Sequence, residues 1–148
     1  SKILSFYLDN KTIFGFRFNE VLVSDDDFWE HQHNFIQLMF PTVQSSVFLP
    51  DAPILCLHDI QEFHNNPLLK IRLQLAFYRF CKFMGRVPSR WRAPNHNWLR
   101  VTRVLDCCTT LGLEKEANQL YNWIKERKDK FGIPNYTWRL WTDAVTPF

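Results

Sequence analysis

The chain has 148 residues, is 46% hydrophobic and 16% aromatic, and carries a formal net charge of +3. That describes one domain with a dense interior of large side chains and excludes a disordered chain. No apolar run approaches the roughly 20 residues that cross a bilayer, and no charged start leads into an apolar block, so the sequence reads as soluble and cytoplasmic.

Taken in chain order, residues 1–23 are rich in aromatics, with a turn signal at Asp9-Asn10. The alternation of Phe14, Phe16 and Phe18 is too short to support a sheet, and the stretch reads as an irregular packed arm. Ser24 to Pro41 predicts one long helix. Ser24 serves as the cap, Asp27 completes a weak capping box, and Val23 with Phe28 forms a hydrophobic staple. Asp25, Asp26 and Asp27 place negative charge at its positive end, and Pro41 stops it. Phe28, Phe35 and Met39 lie beside Trp29, Ile36 and Phe40 in a wide stripe that belongs in a core. A loop follows, its Phe48 and Leu49 tucked onto the body, and then a short helix from His58 to Asn65.

Pro67 suits the first turn of a helix running to Met84, with Leu69, Leu73, Phe77, Phe80 and Met84 facing inward and Gly85 ending it. Arg72, Arg79, Lys82 and Arg86 are left for its outer side. The basic loop Arg86–Pro94 leads to Asn95 as a cap, and the next helix aligns Trp98, Val101, Leu105 and Cys108. Gly112 ends that helix and Glu114 begins its antiparallel partner, which reaches about Lys130. A last short helix carries Trp138 and Trp141. The fold class expected is all-α, a single-domain bundle of about six helices with an irregular N-terminal arm, over residues 1–148.

Catalytic spacing is missing from this pattern. His31 and His33 face different directions on a helix, and His58 and His64 are badly spaced for one ion. His31 reads as a hydrogen-bonded core imidazole. Three consecutive carboxylates at Asp25–Asp27 diverge by about 100° per residue and do not converge on a metal. Cys56, Cys81, Cys107 and Cys108 lack zinc spacing and read as buried reduced thiols. No catalytic residue, metal or cofactor is expected.

Charge is divided along the chain. Residues 1–62 hold three basic and nine acidic side chains, whereas residues 63–105 hold nine basic and none acidic. Arg86, Arg90, Arg92, Arg100 and Arg103 surround Trp91, His96 and Trp98, a combination of cation and aromatic that holds single-stranded nucleic acid through phosphate contact and base stacking. The other reading pairs the same arginines with the acidic first third. Because Arg100 and Arg103 border the core side of their helix, at least one is expected to be tied to a carboxylate or carbonyl of the Ser24–Pro41 region.

Two blocks give a resemblance. HNFIQLMFP, His33 to Pro41, is similar to H-x-Y-I-Q-W-L-F-P, and HNWLRVTRVLDCCTTLGLE, His96 to Glu114, is similar to H-N-x-L-R-I-T-R-I-L…LGLE; both patterns belong to the opioid growth factor receptor conserved-domain family. A weaker likeness at Phe83-Met84-Gly85 joins them, and Leu38 stands where the family usually has tryptophan. The residues matching the motif are His33, Gln37, Phe40, Pro41, Asn97, Leu99 and Thr102. The resemblance implies a helical domain and a receptor for an opioid peptide such as Met-enkephalin. The expectation is a non-enzymatic binding module with a protein or peptide partner. The alternative is a nucleic-acid binder using residues 86–103. The candidate ligand contacts are Arg90, Trp91, Arg92, His96, Arg100 and Arg103.

Overall fold

The computed structural model describes residues 1–85, 87–92 and 95–146. Arg86 and Pro94, both assigned above to the basic loop, lie outside the described residues. The fold is all-α, with eleven helices among the described residues where about six were expected: α1 (Lys2–Asp9), α2 (Phe18–Val23), α3 (Asp26–His31), α4 (Ile36–Met39), α5 (Leu57–Asn65), α6 (Pro67–Met84), α7 (Pro88–Trp91), α8 (Asn97–Thr110), α9 (Glu114–Lys125), α10 (Lys128–Phe131) and α11 (Asn135–Val145). Among the described residues there is no strand, and no helix is long and apolar enough to cross a membrane.

The excess is α1 and α2 in the N-terminal arm, α7 in the basic loop, and one further helix wherever two expected helices stop early. The helix expected from Ser24 to Pro41 breaks at Gln32, whose backbone is extended at φ −81° and ψ 141°. Its cap is Asp25, whose carboxylate accepts the Phe28 N–H at 2.9 Å, while the Ser24 hydroxyl turns back to the Glu20 carbonyl at 2.6 Å. Val23 is 82% exposed, so no staple forms. The N-terminal arm is also helical. Asn10 closes α1 in the left-handed region, and Phe14 and Gly15, at φ 53° and 82°, make a tight turn that lets Ile13 and Phe16 exchange backbone hydrogen bonds of 3.0 and 2.9 Å. The helix expected to reach Lys130 ends at Lys125, and α10 then seats the Phe131 ring parallel to Trp91, with centroids 5.3 Å apart.

Arginines account for many of these endings. The last four carbonyls of a helix have no partner within it, and an arginine can take them. Arg72 donates to the Tyr7 and Leu8 carbonyls at the end of α1. Arg79 takes Ser24 O after α2, at 2.8 Å. Arg100 takes Trp29 O and Gln32 O at the end of α3, and Arg103 takes Phe40 O after α4. Arg90 takes Phe83 O in the last turn of α6, and Arg127 takes Trp123 O in α9. Arg72 and Arg79 therefore do not face outward, as α6 alone implied, but lean over α1 and α2. A short helix whose carbonyls are met from outside needs neither glycine nor proline to stop it.

The long elements are as the periodicity predicts. On α6, Leu69, Leu73, Phe77, Phe80 and Met84 are all buried, and Pro67 stands in the first turn. On α8, Trp98, Val101, Leu105 and Cys108 are buried, and α8 packs against both α9 and α11. Helix α6 packs against α1, α2, α5 and α8, which joins the two halves into one continuous cluster of buried side chains. Gly112, at φ 92°, lies under the His64 ring, and a Cβ there would come within 3.0 Å of the imidazole. The LGLE block thus needs its glycine both for conformation and for close approach.

Two interior assignments change. His31 is exposed, its ring 3.1 Å from the Asp27 carboxylate one turn earlier, and is not a core imidazole. Of the four free cysteines, Cys107 and Cys108 are buried and Cys81 is half-buried, but Cys56 is exposed at the start of α5. Burial pushes the Cys81 thiol up to about 12 and also raises those of Cys107 and Cys108, which keeps all three protonated at neutral pH.

Candidate functional site

The basic segment turns inward. Trp91 is 1% exposed, with its Nε1 donating to Gly85 O at 3.0 Å, so its faces are closed to a stacking base. Arg90 lies over the Phe83 ring at 4.3 Å and approaches Asp26 at 3.5 Å and Glu30 at 3.9 Å. Arg100 is 5% exposed. Its two carbonyl partners hold it against the Phe35 ring, 5.3 Å away, and burial lowers its guanidinium pKa to about 10 against the opposing pull of Glu30. Arg92 remains exposed. His96 is half-exposed, 3.8 Å from Glu30, and its ring centroid is 6.1 Å from that of His33. The acidic first third and the basic middle therefore meet, with Arg79–Asp26 at 2.9 Å the shortest ion pair between them. The expected tie between α8 and the Ser24–Pro41 region exists at both arginines, through backbone carbonyls.

The two distinctive blocks face each other across a groove of about 420 Å³. The first block contributes His33, Ile36 and Gln37, and α8 contributes Leu99, Arg100, Thr102, Arg103 and Asp106, with His96 just before it. The third wall is the loop after Pro41, from Thr42 through Val47 and Phe48. Phe48 and Val47 are 76% and 88% exposed, so Phe48 does not tuck onto the body as expected but stands open over the groove, while Leu49 is half-buried. An apolar pair inside a polar loop was the only sequence signal for that wall.

Each motif residue has a physical task here. Phe40 and Pro41 are buried, with the Phe40 ring against Phe80 of α6 at 6.0 Å. Asn97 is fully buried and donates to Glu30 at 3.2 Å. Thr102 accepts the Trp141 Nε1 proton at 2.8 Å, which ties α8 to α11. Gln37 is 6% exposed and its Oε1 accepts from no donor among the described residues. Leu99, 58% exposed, presents an apolar side chain to the groove. Arg103 makes one hydrogen bond, to Phe40 O at 3.1 Å, and no ion pair among the described residues, which leaves guanidinium donors on the groove side. Burial lifts the Asp106 carboxyl above its ordinary value against the pull of Arg103. Among the described residues, no group of His, Cys, Asp or Glu is arranged to hold a metal ion.

The arrangement defines a class of helical domain in which the basic middle of the chain caps the helices of its acidic start, leaving an open groove where the two blocks meet. Residues 3–128 match the opioid growth factor receptor (OGFr) conserved region, and the chain belongs to that family. No curated protein and no solved structure matches it.

Proposed function

We propose that the domain is a non-enzymatic binding module that holds a short peptide in the groove between its two family blocks. The observation that carries this reading is the groove itself: His33 and Gln37 of one family block and Leu99 and Thr102 of the other, distant in sequence, line one concavity. Its volume of about 420 Å³ falls within the span of roughly 300–1,000 Å³ common to ligand sites. Apolar contact comes from Val47, Phe48 and Leu99, and polar anchoring from Arg103, Thr102 and Gln37. The family description, a receptor for an opioid growth factor, supports a peptide ligand. The nucleic-acid reading draws less support, since Trp91 is buried and Arg90, Arg100 and Arg103 bond to the protein's own carbonyls.

Fluorescence polarisation with labelled Met-enkephalin tests the proposal. Saturable binding is expected, and Leu99→Arg or Phe48→Ala should weaken it about tenfold, equivalent to roughly 1.4 kcal/mol. Both side chains are exposed, so the fold itself should survive either change. No saturable binding, or binding that neither variant weakens, overturns the assignment.

A further inference from the structure

Helix α6 has a second apolar face, directed away from the core. Leu68, Ile71, Leu75 and Tyr78 are 45%, 53%, 47% and 54% exposed. They follow one another at steps of three, four and three residues, the spacing that lines up one seam of a helix for a partner helix. Scattered exposed apolar residues need no explanation, but four in register on the longest described helix form a continuous stripe about 15 Å long at 1.5 Å per residue. The groove described above lies on α4, α8 and the loop after Pro41, so this stripe is a separate surface.

The charge on α6 itself is of one sign. Helix α6 has no acidic residue, and Lys70 and Lys82 are exposed and make no ion pair among the described residues. Arg72 and Arg79 are already engaged by the carbonyls of α1 and α2, and Arg79 by Asp26, which leaves Lys70 and Lys82 as the cations open to a partner. The carboxylates that bond to α6, Asp26 and Glu116, are already engaged by Arg79 and Gln74. A second copy packed in parallel would set lysine against lysine, and in either orientation an α6 without acids offers Lys70 and Lys82 no partner, which disfavours self-association. We infer that the Leu68–Tyr78 stripe of α6 is the docking surface for an amphipathic helix of a partner protein whose apolar seam is flanked by glutamate or aspartate. The partner's leucines fill the stripe, its acids meet Lys70 and Lys82, and the two helices pack as a short pair.

The test uses a fluorescein-labelled three-heptad peptide with leucine at its seam positions and glutamate on both flanks, and a twin with lysine on the flanks. In fluorescence anisotropy the acidic peptide should bind saturably and the lysine twin about tenfold more weakly or not at all. Leu75→Asp should abolish binding of the acidic peptide while circular dichroism stays unchanged. The double variant Lys70→Glu/Lys82→Glu, which alters only exposed ends, should reverse the preference between the two peptides. Absence of saturable binding, equal binding of both peptides, or binding untouched by Leu75→Asp overturns the inference. So does a concentration-dependent dimer in sedimentation equilibrium that Leu75→Asp dissolves, because the stripe would then serve a second copy of the chain.

Discussion

Arg100→Ala should lower the stability of the domain by about 2–5 kcal/mol, because it strips the partners from two carbonyls, each orphaned buried group costing roughly 1–3 kcal/mol. The two carbonyls, Trp29 O and Gln32 O, mark the end of α3 and the extended residue that follows it. Arg100→Lys should recover only part of the loss. A lysine ammonium has no planar fork with which to bridge two separated acceptors. Urea denaturation at neutral pH gives both numbers, and a loss under about 1 kcal/mol for Arg100→Ala would show that the break at Gln32 stands without it.

Phe35→Ala should cost about 3–5 kcal/mol, the usual range for emptying a buried aromatic site. Phe35 is fully buried between the short helices α3 and α4. Its ring meets Trp29 at 5.0 Å and Phe28 at 5.2 Å, and the Arg100 guanidinium lies over it. The substitution therefore removes packing and also widens the space that holds the guanidinium in place. A shift in the denaturation midpoint corresponding to less than about 1 kcal/mol would place this ring outside the core.

Helices α6 and α8 are legible from the sequence because every signal they need is local. Pro67, the inward stripe from Leu69 to Met84, and Gly85 fall within one window. The breaks in the first third are not local. The end of α3 depends on Arg100, about seventy positions away, and the end of α1 on Arg72, also far along the chain. Read alone, Ser24–Pro41 has the apolar period of one helix, and nothing within it reports that a guanidinium will take its central carbonyls. The charge division was visible, and so was the expectation that Arg100 and Arg103 would reach the Ser24–Pro41 region. That the acceptors would be chiefly backbone carbonyls was not, since acceptors of that kind leave no trace in residue identity. At the groove, the α4 and α8 walls coincide with the two family blocks. Phe48 is expected under the body because apolar residues in a loop are usually folded under, whereas here it stands exposed beside Val47.

The central claim is that the basic middle of the chain is tied to its own helix ends and acidic start. Arginine-selective nitrogen NMR of the intact protein tests it most directly. Arg72, Arg79, Arg90, Arg100 and Arg103 should show separate, slowly exchanging guanidinium signals, because hydrogen bonds to fixed carbonyls hinder rotation about the terminal C–N bonds and shield the protons from water. The exposed Arg92 and Arg139 should show averaged, rapidly exchanging signals. If all of these arginines give averaged signals alike, the guanidinium groups are free in solvent and the account of how this fold is held together is wrong.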